Sequence, residues 1–134
     1  MPSGKLWADR NIGSFKESEY GLYFAWGELS GYRNNTERNS ALNVNSGFST
    51  EASNAAGVTS VSGNLVSGND AAIEHFGGDW RIPSKEELEE LKEYTNREWA
   101  SLNGVSGLKF VNKEDNTKYI FLPASGYYND NTLY

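Results

Sequence analysis

Apolar and polar residues alternate in two short segments near the N-terminus of the chain. Over residues 5–13 the alternation predicts a short strand that runs into a turn. Over residues 20–26 it places large apolar side chains, from Tyr20 to Trp26 at every second position, on one face, which predicts a second strand. Irregular structure is the alternative for this segment, because Tyr23 adds bulk to the opposite face and glycines bracket the run.

A third alternating region lies in the C-terminal half of the chain. Leu108 and Phe110, together with Trp99, are expected to face inward on one strand. Residues 112–118 are polar and supply a turn, and residues 119–122 are expected to return as a partner strand that the following proline stops. The pattern therefore predicts a β-hairpin.

Between these regions, helical spacing begins directly after Pro83. Ser84 is the best candidate for the N-cap residue, and Glu87 stands where a capping box requires a carboxylate. These signals predict a helix from Lys85 to about Tyr94, with acidic side chains in its first turn, where the helix dipole favours them. The predicted inner face carries Leu88, Leu91 and either Tyr94 or Thr95.

Two residues just before this helix have a structural and a ligand-binding interpretation. Trp80 is expected in the core, and Arg81 is expected to bond to the backbone or to a nearby carboxylate, because a buried arginine is normally paired. A ligand contact is the alternative role for Arg81. The residues assigned to the structural motif are Trp80, Arg81, Pro83, Ser84 and Glu87.

A shorter helix is predicted just upstream, over residues 71–76. Asp70 is in position to cap it, and Gly77 is expected to end it in the left-handed conformation. Ile73 and Phe76, three residues apart, are its expected buried pair.

Residues 33–69 form a long excursion rich in Asn, Ser, Gly and Thr. Its isolated apolar residues cannot bury enough surface to order a core of their own. A connection of this length is unusual in a compact domain, so it is functional, partly ordered by its few apolar anchors, or mobile. The whole chain, residues 1–134, is expected to form one domain.

Composition excludes several classes of protein. The net charge of −6 leaves no basic footprint for a nucleic-acid partner, and no apolar run is long enough for a membrane span. No apolar h-region of a signal peptide is visible in the first residues, and a signal upstream of this segment is the alternative. The chain has no cysteine and one histidine, His75, which removes thiol nucleophiles, thiolate metal sites and histidine-rich metal sites. No catalytic residue, metal or cofactor is expected.

Five ordered segments of the chain together carry a resemblance to a known family. They are Leu6-Trp7-Ala8, the run from Tyr20 to Glu28, Asp70-Ala71-Ala72, the run from Gly77 to Pro83, and the run from Ile120 to Tyr127. In this order they resemble the Fibrobacter succinogenes major paralogous domain. That family is similar to the wider C-type lectin-like fold, which includes formylglycine-generating enzymes and retroelement-diversified receptor-binding proteins.

The resemblance implies an α+β domain in which two helices flank a twisted, mostly antiparallel sheet. Family members continue beyond the segment that matches Gly126 and Tyr127, so the C-terminal part of the fold is expected to be missing. This implies an open C-terminal sheet edge and a possible homo-oligomer through it. The calcium motifs of the lectins, Glu-Pro-Asn and Trp-Asn-Asp, do not occur in the sequence, so calcium-dependent sugar binding is not expected.

The C-terminal tail is the best candidate for a ligand-binding site. It combines flat aromatic faces, hydroxyls, amides and a carboxylate, a mixture that recognition loops use at low entropic cost. The alternative is that its first tyrosines pack against the predicted hairpin. The candidate binding residues are Tyr127, Tyr128, Asn129, Asp130 and Tyr134.

The expected function is that of a non-catalytic recognition or adhesion module on a bacterial surface or a phage particle. It would bind a protein or a glycan on a cell surface through loops held by a lectin-like scaffold, so the resemblance implies an extracellular, cell-surface or virion location. One alternative is a structural domain of a larger surface protein. An enzyme related to formylglycine-generating proteins is disfavoured, because that chemistry relies on active-site cysteines.

Overall fold

The protein is an α+β chain in a computed structural model that describes residues 1–24, 26–33, 57, 59–60, 64–129 and 132–134. These residues include two α-helices and a three-stranded antiparallel sheet. The chain folds as two compact units. The first contains Met1–Gly21 and Pro83–Ser125, and the second contains Leu22–Ile82 and Gly126–Tyr134.

The helices and strands of the described residues follow one another in the second half of the chain. They are α1 (Ala71–Phe76), α2 (Lys85–Tyr94), β1 (Thr95–Leu102), β2 (Val105–Asn112), β3 (Tyr119–Pro123), β4 (Tyr128–Asn129) and β5 (Thr132–Leu133), with a 3₁₀ turn at Ser67–Asn69 before α1.

Helix α2, in the first unit, has the predicted bounds and the predicted capping box. The Ser84 hydroxyl accepts a hydrogen bond from the Glu87 backbone N–H at 3.3 Å, and the Ser84 N–H donates to the Glu87 carboxylate at 2.9 Å. Leu91 is buried, but Leu88 is 43 % exposed, so the predicted inner row is wrong at Leu88. At the C-terminal end, the buried Thr95 hydroxyl donates to the Leu91 carbonyl, so the inward position falls on Thr95 and not on Tyr94.

Strands β1 and β2 form a hairpin around the two-residue turn Asn103-Gly104. Both turn residues have positive φ, 51° and 80°, which suits the right-handed twist of the flanking strands. The register pairs every β1 residue, from Thr95 opposite Asn112 to Leu102 opposite Val105. Trp99 was expected on the same strand as Leu108 and Phe110, which is wrong because the turn places it on β1. The turn was not predicted, although Asn-Gly is the strongest short hairpin signal in a sequence. The predicted inward position of Trp99 is wrong, since its side chain is 68 % exposed.

The predicted hairpin of residues 108–110 and 119–122 is confirmed as the pairing of β2 with β3. Phe121 is almost fully buried, and it lies on the same sheet face as Gly107. A side-chain carbon at Gly107 would overlap the Leu122 carbonyl and the Phe121 ring. The tight packing of Phe121 therefore requires glycine at position 107.

The N-terminal segment of the first unit contains turns, and the strand predicted at residues 5–13 is wrong. Polar contacts hold the segment to the rest of its unit. Ser3 bonds to Glu90 on α2, and the Ser18 hydroxyl accepts a hydrogen bond from Asn103 at 3.1 Å. The Tyr119 hydroxyl donates to Glu17 at 3.1 Å, and this hydrogen bond raises the tyrosine's pKa.

The strand predicted at residues 20–26, whose first two residues belong to the first unit and the rest to the second, is wrong for the residues described. The backbone of this region makes one isolated bridge, between Tyr23 and Tyr32, and Trp26 is 46 % exposed. The bracketing glycines and the bulk on both faces left irregular structure open as an equal alternative, and the described residues of this region are irregular. Most of the predicted excursion, including residues 34–56, lies outside the described residues.

Helix α1 has the predicted bounds and cap, but it buries a different face. Its buried residues are Ala71 and Ala72, while Phe76 is 39 % exposed, so the predicted buried pair is wrong. Gly77 ends the helix with φ 73° and ψ −170°, which lies outside the left-handed helical region. The Gly77 N–H still donates to the Ile73 carbonyl at 2.8 Å, so the last turn is closed.

We expect alanine at Gly107 to destabilise the protein more than alanine at Gly104. We expect Gly107→Ala to destabilise the protein by about 3 kcal/mol, because the added carbon meets fixed backbone. Gly104→Ala has open space around it, and its cost of about 1 kcal/mol comes from positive φ alone. Gly68→Ala has neither problem and is the matched control. Urea unfolding measures all three, and equal losses at positions 104 and 107 would contradict the register.

We expect the contact between Ser3 and the Glu90 carboxylate, which attaches the N-terminal segment to α2, to weaken in acid. The Ser3 hydroxyl, at 2.6 Å, and then the Ser3 N–H, at 2.8 Å, lower the pKa of Glu90 below its ordinary value of 4.5. The stabilisation is therefore present above that value and is lost as the pH falls through the lowered pKa of the folded state.

We expect Glu90→Gln to flatten the loss of stability on acidification, measured as the urea midpoint from about pH 7 to about pH 3. Glu93→Gln, on the same helix, is the control. An unchanged acid dependence in Glu90→Gln would show that the Ser3 contact contributes nothing to stability.

Candidate functional site

The predicted binding tail forms a two-stranded antiparallel ribbon in the second unit. Strand β4 pairs with β5, with Tyr128 opposite Leu133 and Asn129 opposite Thr132. Beyond these pairs, the backbones of Tyr127 and Tyr134 exchange two hydrogen bonds, at 3.0 and 2.9 Å. We call residues 127–129 and 132–134 the tyrosine ribbon.

The rings of Tyr127 and Tyr134 stack on each other at one end of the tyrosine ribbon. Their centroids are 5.5 Å apart and the ring planes differ by 18°. The two residues are 63 % and 62 % exposed, so most of each side chain faces solvent. The stack and the reciprocal backbone bonds together fix the position of both rings, which reduces the entropy that a ligand would have to remove.

Gly126 allows the ribbon to close. Its φ of 70° is unfavourable for other residues, and a side-chain carbon there would overlap the Tyr134 carbonyl oxygen. The Gly-Tyr pair that contributed to the family resemblance therefore has a local physical reason. Glycine permits the backbone approach that places Tyr127 against Tyr134.

The structure brings together part of the predicted site. Tyr127 and Tyr134 are in contact, and the backbones of Tyr128 and Asn129 belong to β4. Asp130 lies outside the described residues. The composition of the tail predicted a binding site there. The pairing of its first and last tyrosines depends on the ribbon register and was not predicted.

The Trp80-Arg81 motif lies nearer to solvent than expected. Trp80 is 38 % exposed, and its ring meets the edge of Phe76 at a centroid distance of 6.0 Å. The predicted core position of Trp80 is therefore wrong, because its main aromatic neighbour is itself 39 % exposed. The Arg81 guanidinium donates to the neighbouring Ile82 carbonyl at 3.3 Å.

Asp70 is the buried polar centre of this region, and its second role was missed by sequence reasoning. One carboxylate oxygen accepts from the Ala72 N–H, as the predicted N-cap requires, and the other accepts from the Ile82 N–H, both at 2.9 Å. The residue is only 3 % exposed. A single carboxylate thus joins the start of α1 to the segment that carries Trp80 and Arg81, and only the capping half of this role has a sequence signal.

His75 has a local partner in the second unit. Its Nε2 lies 2.8 Å from the Leu29 carbonyl, and its ring meets Phe24 edge-on at 5.5 Å. Among the described residues, no cluster of three or more acidic, histidine or cysteine side chains has the geometry to hold a metal ion. Within the same residues, no helix has the length and apolar character needed to cross a membrane.

No family model, curated protein or solved structure matches this chain.

Asp70→Ala is expected to destabilise the protein by about 2–3 kcal/mol, because it removes a helix cap and leaves the Ile82 N–H without its acceptor. Amide hydrogen exchange should speed up at Ile82 as well as at Ala72. Asp79→Ala removes an exposed acid nearby and serves as the matched control. Unchanged exchange at Ile82 would contradict the bridging role.

Proposed function

We propose that this chain is a non-catalytic recognition module that binds a protein or a glycan on a cell surface through the tyrosine ribbon. The observation that carries the proposal is the stacked pair Tyr127 and Tyr134, fixed by reciprocal backbone hydrogen bonds and yet largely exposed. Exposed tyrosines in a fixed geometry present apolar surface and hydroxyls together, which suits recognition.

The stacking geometry supports a binding role in a specific way. Each ring gives one face to its neighbour, and the two residues remain 63 % and 62 % exposed, which leaves surface for a partner. A ligand that contacts both residues gains from two aromatic groups whose rotamers are already restricted.

The wider context of the proposal comes from the sequence resemblance. A C-type lectin-like scaffold of the Fibrobacter paralogous type would display such a ribbon at its surface, as an adhesion module of a bacterial surface protein or a phage particle. The α+β class and the antiparallel sheet are compatible with that scaffold. We propose the lectin-like fold, the extracellular location and the absence of catalysis together with the binding role.

The test is binding of the purified chain to arrays of glycans and of bacterial surface proteins. Tyr127→Ala and Tyr134→Ala should each reduce the affinity for any ligand found by about tenfold, because each removes one ring of the stack. Tyr20→Ala is the matched control, since Tyr20 is also a half-exposed tyrosine but lies in the first unit.

The outcomes separate the candidate roles. Equal losses for Tyr20→Ala and the two ribbon variants would contradict the ribbon as the binding site. A chain that binds nothing on either array would favour a structural domain of a larger surface protein. Turnover of any array component would contradict the non-catalytic assignment.

A further inference from the structure

Strand β1 is an edge strand whose outer side has no partner among the described residues. The sheet order is β1-β2-β3, and all eight β1 residues pair with β2. No backbone hydrogen bond joins the outer side of β1 to another described residue. An edge of this length presents a row of N–H and C=O groups that another strand can extend.

The other edge, formed by β3, is a weaker candidate for strand addition. It has five residues, and its last, Pro123, has no N–H to donate. At its first residue, the Tyr119 hydroxyl is bonded to Glu17 of the N-terminal segment. The longer and less obstructed edge is therefore β1.

The charges on β1 offer little defence against strand addition. Arg97 and Glu98 are its two ionised residues, and they have opposite sign. The Glu98 carboxylate lies 3.9 Å from the Lys109 ammonium on β2, so its charge is already partly balanced within the sheet. Charged residues normally protect an edge strand because an added strand would leave their charges without a partner.

An exposed apolar row ends at this edge. Trp99, Leu108 and Leu122 lie directly opposite one another on the three strands and share one sheet face. Trp99 is 68 % exposed and Leu122 is 40 % exposed, so the row is only partly covered. A strand added to β1 with an apolar residue opposite Trp99 would continue this row.

We propose that β1 pairs antiparallel with β1 of a second copy of this chain, about a two-fold axis at Trp99. This symmetry keeps matching sheet faces together and pairs seven of the eight strand residues. Centring on Glu98 pairs as many residues but sets Glu98 against its own copy. Centring on Arg97 or Ala100 pairs fewer residues, and the Arg97 centre also sets like charges opposite each other.

The Trp99-centred register sets no like charges directly opposite each other. Trp99 meets its own copy, which extends the apolar row across both sheets. Arg97 lies opposite Ser101 of the other copy and diagonal to Trp99 of that copy, within reach of a cation–π contact. Glu98 lies opposite Ala100 of the other copy and only diagonal to its own copy, so no like charges lie directly opposite each other. This edge differs from the C-terminal edge that the family resemblance implies.

The absence of cysteine from the sequence allows a direct test of the register. In the proposed pairing, positions 98 and 100 of opposite copies are about 4.5–5.5 Å apart at Cα, within disulfide range. Identical positions of the two copies are about 7–8 Å apart, at or beyond that range. Glu98→Cys and Ala100→Cys both leave Arg97 and Trp99 unchanged.

Under mild oxidation, an equimolar mixture of Glu98→Cys and Ala100→Cys chains should form mainly mixed disulfide dimers, at least about tenfold more than either variant alone. Sedimentation of the unmodified chain should show a concentration-dependent doubling of mass. Trp99→Asp should raise the dimer dissociation constant by about tenfold or more. Tyr20→Asp is the exposed aromatic control, and circular dichroism checks that each variant is folded.

A monomer at every concentration tested would overturn the proposal. A dimer whose dissociation constant is unchanged in Trp99→Asp would overturn it in favour of another edge. Self-crosslinking of Leu122→Cys on β3, without crosslinking in the mixture of the position 98 and position 100 variants, would do the same. Homotypic crosslinking at position 98 as strong as mixed crosslinking would overturn the register.

Discussion

The two-residue turn at Asn103 and Gly104 sets the register on which the first unit depends. With two residues in the loop and positive φ at both, Leu102 must lie opposite Val105, and every later pair follows. A slip of one residue would turn each β1 side chain to the other face of the sheet. The outward position of Trp99 and its alignment with Leu108 are therefore consequences of a local backbone preference.

The same register explains how a short β3 can complete the sheet core. Gly107 lies against the Leu122 carbonyl of β3, and its lack of a side chain leaves room for Phe121, which is nearly fully buried. Phe110, also buried, lies on the opposite face. Both sheet faces thus bury a phenylalanine, while the exposed apolar row lies farther along the face that Phe110 occupies.

In the second unit, one carboxylate has a comparable organising role. Asp70 satisfies a free N–H at the start of α1 and the N–H of Ile82, and burial makes these bonds costly to break. The segment of Trp80 and Arg81 is therefore positioned by a backbone contact to Asp70 and not by burial of its tryptophan. This accounts for a segment with strong sequence character whose aromatic side chain is 38 % exposed.

The sequence predicted the features that are encoded over a few neighbouring residues. The capping box of Ser84 and Glu87, both helix spans and the β2–β3 hairpin follow from short-range signals. Burial was predicted less well, because periodicity identifies an apolar face but not what covers it. Leu88, Phe76 and Trp99 were all expected inside, and each is at least partly exposed since no packing partner covers it fully.

Long-range pairing was the other limit of sequence reasoning. Composition identified the tail as aromatic and polar, but stacking of Tyr127 on Tyr134 depends on the ribbon register and on the space that Gly126 leaves. The same holds for Asp70, whose second acceptor role involves a residue twelve positions away. Such contacts require the path of the chain between the two residues, which a local pattern does not contain.

The exposed aromatic residues of the two units share a physical property that bears on function. Trp99 and the tyrosine pair are positioned by backbone pairing in a hairpin and a ribbon, and they are not held by enclosure in a core. Replacing such a side chain removes little buried surface, so the fold tolerates the change better than it would at Phe121. In the proposed recognition role this separation is useful, because the exposed side chains could vary while the backbone hydrogen bonds keep them in place.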